Sequence, residues 1–267
     1  MSARILAAAA LWSTIGVASV WGRDYVWMAF FRSITAAAAT AALRAPADRA
    51  GLVPGLLLGG LFSVYPAAAL FAGVGPAAYL LYTAPLWTTT ALALWGERPS
   101  RADLVGVALV IAAVVVVLLA SLHGEISPIG VAAGLASGAF YGLYIATARR
   151  LAKAGREKAA SLGAMMYTPL VTAPLALAYF AVFHKPPTPS AVAAGLYMGI
   201  FATLVPYILF ASAVKKVGGA RASVIASIEP VLAAVWGALL FGQIPGVYTL
   251  VAYGLITAAT LLALSNK

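Results

Sequence analysis

The sequence predicts an all-α polytopic membrane protein with ten transmembrane helices, built as two inverted-topology repeats of five helices each. Its 267 residues are 63% hydrophobic and only 9% charged, and the mean hydropathy is +0.99. Apolar runs of about 20 residues, the length that crosses a bilayer as a helix, recur along the chain. The two halves also share a residue pattern. A soluble domain carries far more surface charge, and the alternating segments of about ten residues typical of an outer-membrane barrel are missing.

The predicted spans are apolar runs bounded by charged residues, glycine or proline. Numbered 1 to 10, they cover residues 4–21, 25–43, 52–72, 76–95, 101–121, 128–149, 160–183, 190–214, 219–241 and 246–264. The first run ends in Ser-Val-Trp-Gly, a poor cleavage site for a signal peptide, so we retain it as span 1. Spans 5 and 10 are almost free of polar residues, which indicates a lipid-facing or dimer-forming scaffold. Spans 1–4 and 6–9 are therefore expected to enclose any cavity.

Basic residues are distributed unequally between the two predicted membrane faces. If the spans alternate in direction, fourteen Lys and Arg residues share the side of the N-terminus, and only Arg23 and Lys185 fall on the other side. The positive-inside rule then predicts an inner-membrane protein with both termini in the cytoplasm. This topology explains the net charge of +10, so we expect no nucleic-acid partner.

An internal duplication defines the domain organisation. GLLLGGLFSVYP (55–66) aligns with GLYMGIFATLVP (195–206), and AAYLLYTAP (77–85) aligns with ASVIASIEP (222–230). The predicted repeats are 1–122 and 128–267, and together they form one domain. Because each repeat has an odd number of spans, the second copy enters the membrane from the opposite face.

Duplicated glycines and prolines are candidates for a moving interface. Small residues four apart allow close helix approach, and their duplication favours a rocking interface between the repeats over a ligand contact. These glycines are Gly55, Gly59, Gly195 and Gly199. Proline within a span kinks the helix and offers a hinge. The candidate hinge prolines are Pro66, Pro85, Pro206 and Pro230.

Glu229 is the first candidate for a functional residue. It lies about ten residues into span 9, near the bilayer midplane, where an unpaired carboxylate costs at least ~2.5 kcal/mol. Pro230 cannot bond to the carbonyl of Ala226, which leaves an acceptor beside the acid. Small residues on the same helical face leave room for a ligand, and Trp236 would form an apolar wall. The alternative is a protonated structural acid that a neighbouring group satisfies.

Arg32 is the other charge inside a span, and two roles are open for it. It either snorkels to the near interface or faces the cavity, where it would bind a substrate carboxylate or pair with Glu229. Aromatic and hydroxyl residues deep within spans are candidate lining residues. Tyr82 ranks first because it lies one turn before Pro85 and is equivalent to Ser227, also a candidate, in the other repeat. The remaining candidates are Trp12, Tyr79 and Tyr141.

The sequence offers no set of catalytic residues. It has no cysteine, and its two histidines, His123 and His184, lack a partner at metal-ligand spacing. We therefore expect neither an enzyme, nor a metal site, nor a cofactor.

The ordered motifs resemble the EamA-type drug/metabolite transporter superfamily over essentially the whole chain. The resemblance is carried by Arg32 in span 2, the pattern Pro-x(10)-Gly-Glu-Arg-Pro (85–99) with Gly106 after it, and Glu-Pro-Val (229–231) followed by Gly-Gln-Ile-Pro (242–245). Two departures are Gln243, where the family usually has Glu, and Ala252, where it often has Gly.

The resemblance implies an inner-membrane permease that moves small metabolites by alternating access and often exports amino acids. Proton coupling, exchange and facilitated diffusion all stay open. We interpret the chain as a monomer or weak homodimer in the lipid bilayer, with a small polar or zwitterionic substrate. Arg32 would take the carboxylate, and Glu229 the amine or a coupling proton. The alternatives are an exporter of cationic drug-like amphiphiles and, in another class, a passive channel or scaffold.

Overall fold

The chain folds into a bundle of α-helices. A computed structural model describes residues 2–44, 48–217 and 225–265. These residues include no β-strand, and the fold is 85% helical. The helices are α1 (Ser2–Ser13), α2 (Ile15–Gly22), α3 (Tyr25–Ala42), α4 (Leu52–Ala72), α5 (Val74–Leu81), α6 (Ala84–Leu94), α7 (Arg101–Leu122), α8 (Pro128–Lys153), α9 (Pro169–Phe183), α10 (Pro189–Gly199), α11 (Val205–Val217), α12 (Glu229–Phe241) and α13 (Val247–Ser265).

Many of these helices are apolar enough for a bilayer. Within the described ranges, five stretches have both the length and the hydropathy to cross a membrane. They are Ser2–Gly22, Arg49–Ala72, Arg101–Leu122, Pro128–Lys153 and Pro189–Phe210. Shorter apolar helices are Pro169–Phe183, Glu229–Phe241 and Val247–Leu262. The fold is thus that of a helical, multi-pass membrane protein.

Four predicted spans are interrupted, and in span 7 the interruption is a turn at residues 166–168. Span 1 turns at Thr14, whose hydroxyl donates to the carbonyl of Leu11 at 2.7 Å and so competes with the helix ladder. In span 4, α5 ends at Leu81 and α6 begins after a turn, with Pro85, one of the candidate hinge prolines, in its first positions. The same break precedes Pro230 in span 9. Residues 219–224 of predicted span 9 lie outside the described part of the chain.

The other two prolines behave differently from each other. Pro66 lies inside α4, which continues past it as one helix. Pro206 lies in the first turn of α11, directly after a π-helical segment, Ile200–Leu204. A π segment holds one extra residue per turn and is a common place for a helix to change direction.

Helices of the two predicted halves pack closely at the duplicated glycines. A methyl group on Gly55 would lie 2.5 Å from the carbonyl oxygen of Ala164. One on Gly199 would lie 2.9 Å from the carbonyl oxygen of Arg32. Gly59 and Gly195 have similar backbone neighbours in the other half. Any larger residue at these positions would push the helices apart.

The bundle has two ends, which we name after one residue each. At the Glu97 end, the Glu97 carboxylate pairs with Arg149 at 3.0 Å and Lys153 at 2.6 Å. Asp48 pairs with Arg156 nearby. At the Gln243 end, the Gln243 side-chain oxygen accepts from the Val74 amide at 2.8 Å. Each end is therefore bridged by side chains.

Basic residues are also divided between the Glu97 end and the Gln243 end. Arg149, Lys153 and Arg156 lie at the Glu97 end. Lys185 lies at the Gln243 end, where its carbonyl oxygen accepts from the Trp27 indole at 3.0 Å. Arg221 and Lys267, counted among the fourteen, lie outside the described residues.

Candidate functional site

The Glu229 carboxyl lies where the two helix breaks face each other. Glu229 begins α12 and is 7% exposed. Tyr82, the residue that follows α5, donates its hydroxyl to Glu229 Oε2 at 3.0 Å. That hydroxyl also lies 3.5 Å from the carbonyl oxygen of Ala226, the group to which Pro230 cannot bond. The Tyr82 hydroxyl at one helix break thus contacts the Glu229 carboxylate at the other, inside an apolar bundle.

Arg32 points into the bundle and is 4% exposed. Its Nε donates to the hydroxyl of Thr203 at 3.0 Å, and its guanidinium carbon lies 3.8 Å from the centre of the Phe62 ring. These partners come from α4 and from the π segment after α10, so the helices around α3 hold the side chain inside. A snorkelling arginine would instead carry its charge to the interface.

These two contacts offset much of the cost of burying the Arg32 charge. A cation–π contact contributes up to about 2 kcal/mol, and a hydrogen bond from a charged group contributes roughly 1.5–3 kcal/mol. Burial of an ion costs several kcal/mol, an amount of the same size. The hydrogen bond to Thr203 leaves from Nε, at the base of the guanidinium group.

Arg32 and Glu229 share one interior without forming a direct ion pair among the described residues. Tyr65 and Tyr207 are close enough to interact electrostatically with both. Tyr82 contacts one oxygen of Glu229. One basic and one acidic side chain therefore lie in the same apolar interior.

Aromatic side chains surround this charged pair. Trp12 packs edge-on against Tyr207, with ring centres 5.7 Å apart. Tyr141 lies close to Glu229 and stacks on Tyr144 at 6.2 Å. These rings give the interior an apolar wall with several hydroxyl groups.

Three other candidate residues lie in different surroundings. Trp236 donates its indole N–H to the Ser13 hydroxyl at 3.0 Å and so links α12 to α1. Tyr79 is directed away from the charged pair and stacks on Tyr253 of α13, with ring centres 3.7 Å apart. Ser227 is half-buried in the turn just before Glu229.

Sequence reasoning missed Phe62, Tyr65 and Thr203, which contact or surround Arg32. One signal was available for Thr203. In the duplicated segments 55–66 and 195–206, Ser63 and Thr203 are the polar residues that align with each other. No pattern in the sequence singles out Phe62. Within the described residues, no cluster of three His, Cys, Asp or Glu side chains has a geometry suited to a metal ion.

Comparison with known proteins gives the family. The model of the EamA-like transporter family matches residues 128–265, slightly more than half of the chain. The chain belongs to this family. An uncharacterized transporter of Archaeoglobus fulgidus is 29% identical over 202 residues, which is 74% of this chain and 70% of that protein. A crystal structure at 24% identity aligns with a TM-score of 0.59 over 98% of this chain and 95% of the other, and so shows a shared fold.

This EamA-like protein is therefore a multi-pass membrane transporter. A transporter implies a small-molecule substrate and a lipid bilayer as its partners. Arg32 and Glu229 are the two charged residue types that its described interior buries, at 4% and 7% exposure.

Proposed function

We propose that this EamA-like protein transports small zwitterionic metabolites, with amino acids as the first class, through the site between Arg32 and Glu229. The observation that supports this most strongly is the presence of one buried basic and one buried acidic side chain that do not pair directly among the described residues. An α-carboxylate bound to Arg32 and an amine bound to Glu229 would neutralise both. A planar guanidinium suits a carboxylate because it can donate two parallel hydrogen bonds.

The packing of the bundle supports the inverted repeat on which this mechanism depends. In the proposed repeat, spans 3 and 6 correspond to spans 8 and 1. The contact between α4 (span 3) and α8 (span 6) then has its counterpart in the contact between α10 (span 8) and α2 (span 1). Helix pairs that the repeat would map onto themselves, α5 with α12 and α7 with α13, also pack together. The family match over 128–265 agrees with the proposed second repeat, 128–267.

Alternating access would arise from rocking of one five-helix repeat against the other. The close glycine contacts Gly55–Ala164 and Gly199–Arg32 join the two proposed repeats, so they would form the sliding surface. The breaks before Pro85 and Pro230 lie at the site itself, where small rotations would alter the Tyr82–Glu229 contact. Glu229 would then either hold the substrate amine or exchange a proton for it.

We infer an inner-membrane location with both termini in the cytoplasm, which would make the Glu97 end cytoplasmic. The charge distribution of the sequence supports this orientation. A monomer or weak homodimer suits the exposed apolar face of α7, which is available to lipid or to a second copy.

A thermal-shift screen tests the proposed substrate class. A ligand that binds the folded state raises its unfolding midpoint. We expect zwitterionic amino acids to raise the midpoint of the purified protein, while the matching amino-acid amides and N-acetyl derivatives, which lack one charge each, do not. Equal shifts by the zwitterion and its amide would contradict a carboxylate site at Arg32.

A second candidate substrate class is the cationic amphiphile. The tyrosine rings beside Glu229 favour it, because aromatic faces attract cations. Shifts by hydrophobic amines, without any by amino acids, would favour this class. Saturable uptake with counterflow in proteoliposomes separates both classes from a passive channel, which shows neither.

A further inference from the structure

A groove outside the charged site runs between α3, α4 and α9. Its volume is about 400 Å³, within the roughly 300–1,000 Å³ of ordinary ligand pockets. Its lining is Tyr25, Val26, Ala29, Ser63, Thr172, Leu175, Ala178, Tyr179, Val182 and Phe183. Neither Arg32 nor Glu229 is among these residues, so the groove is distinct from the proposed substrate site.

The groove faces the hydrocarbon of the bilayer. Of the helix α9 that forms one wall, only Thr172 and Ala176 are buried, and the other apolar side chains are largely exposed. In a membrane such a surface is covered by lipid tails, because no water is present at that depth. An open apolar channel along α9 has the shape and the lining that an extended acyl chain requires.

Basic and aromatic residues lie together at one end of the groove. Tyr25 and Tyr179 line that end, at the level where interfacial aromatic residues collect. Arg23 is two residues before Tyr25, and Lys185 is two residues after the groove residue Phe183. The Trp27 indole joins the two segments by its hydrogen bond to the Lys185 carbonyl oxygen at 3.0 Å.

Asp24 is the acidic residue at this end, and it already has a role. Its carboxylate accepts from the Trp27 amide at 3.3 Å and caps the start of α3. The two cations therefore exceed the local negative charge. They are also the two basic residues that the sequence assigns to the side opposite the other fourteen.

We propose that this groove is a specific phospholipid site, with one acyl chain along α9 and the lipid phosphate between Arg23 and Lys185. The site combines an apolar groove at membrane depth, interfacial tyrosines and a local excess of positive charge at its end. A bound lipid would fill the space between α3 and α9 and stabilise their packing. The further prediction is that the protein distinguishes a phospholipid from a neutral lipid with the same chains.

Matched tryptophan variants test the acyl-chain part. Ala178 lines the groove, whereas Ala181 is equally an exposed alanine of α9 but does not line it. Ala178→Trp should reduce the phosphatidylglycerol that survives purification, measured by native mass spectrometry, by roughly tenfold, since loss of two buried methylene groups weakens binding by that factor. Ala181→Trp should retain it. Equal retention by both variants would overturn the proposal, as would a change of oligomeric state in Ala178→Trp, which would indicate a second copy in the groove.

Two lipid probes test the phosphate part. Added to delipidated protein, phosphatidylglycerol should raise the unfolding midpoint more than diacylglycerol with identical chains. The excess should fall in Arg23→Gln and in Lys185→Gln, with affinity reduced about fivefold for each. Lys158→Gln, an exposed lysine far from the groove in sequence, serves as the control and should behave like the parent. Equal responses to the two lipids in the parent, or unchanged responses in both charge variants, would overturn the phosphate site.

Discussion

The Tyr82 hydroxyl donates a hydrogen bond of 3.0 Å to the Glu229 carboxylate, across 147 residues of sequence. Each residue lies at a helix break that precedes a proline, Pro85 in one case and Pro230 in the other. The contact therefore couples the backbone geometry of the two helices to the protonation and binding state of Glu229. Under the proposed function, a substrate amine or a proton that binds Glu229 would change this contact and so act on both breaks.

The Glu229→Gln variant separates the two roles proposed for this acid. The amide keeps the shape and a hydrogen bond to Tyr82 but removes titration. If Glu229 carries a coupling proton, the variant should bind substrate and perform exchange in proteoliposomes while it loses accumulation driven by a pH gradient. If Glu229 holds the substrate amine, binding itself should be lost at every pH.

Tyr82→Phe provides the control for this experiment. It removes the hydroxyl and leaves the carboxyl, so we expect transport to persist with an altered apparent affinity. A Glu229→Gln protein that matches the parent in both binding and accumulation would identify Glu229 as a structural acid.

The central part of the site could be predicted from the sequence. An acid within an apolar span and a carbonyl freed by Pro230 follow from local rules, and both meet at Tyr82. Tyr79 was assigned to the same lining because it is an aromatic residue deep within span 4. The helix ends at Leu81, so Tyr82 departs from the helical periodicity and Tyr79 turns to Tyr253 instead.

The partners of Arg32 could not be derived in the same way. Phe62 and Thr203 reach it from other helices, and their contacts depend on how α3 packs against α4 and α10. A single sequence shows which residues share a face of each helix, but it does not show how that face is oriented towards the neighbouring helices. Only a shared polar position in a duplicated segment pointed to Thr203.

Arg32→Lys tests the proposed carboxylate site. A lysine keeps the charge but presents a single ammonium, so it cannot donate the parallel pair of hydrogen bonds that a guanidinium offers. We expect uptake of amino acids to fall by about tenfold or more, the effect of losing one charged hydrogen bond. Near-normal amino-acid uptake by Arg32→Ala would rule out this role.

Reporter fusions test the proposed topology. Fusions after Lys158 and Lys267 should report the cytoplasm, and a fusion near His123 should report the opposite side. Lys158 and Lys267 lie in the second proposed repeat, and His123 lies at the boundary between the two repeats. A cytoplasmic signal at His123 would be incompatible with the ten-span topology and with an inverted repeat.

The ion pairs of Glu97 should hold the Glu97 end closed. They join the loop after α6 to the end of α8, and Thr88 donates to the Gly142 carbonyl oxygen at 2.9 Å between the same two helices. Since the chain has no cysteine, Thr88→Cys gives a single reporter thiol. With Glu97→Gln added, the thiol at position 88 should react about twofold to fivefold faster with a membrane-impermeant maleimide, because the ion pairs are lost. The difference from the parent thiol variant should be smaller at high salt, which screens these ion pairs. Glu157→Gln, a change of the same kind at an exposed glutamate nearby in sequence, should have no effect.

The same ion pairs should also make stability depend on pH in one direction. The hydrogen bond from Lys153, with the charges of Arg149 and Lys153, holds the pKa of Glu97 below its usual value of 4.5. A carboxyl with a lowered pKa in the folded state contributes stability above its unfolded pKa and loses it as the pH falls through the folded value. The unfolding midpoint of the parent should therefore exceed that of Glu97→Gln by a constant amount at neutral pH, and the difference should disappear in acid below pH 4.5. A difference that persists in acid would mean that Glu97 stabilises this end by its packing and not by its charge.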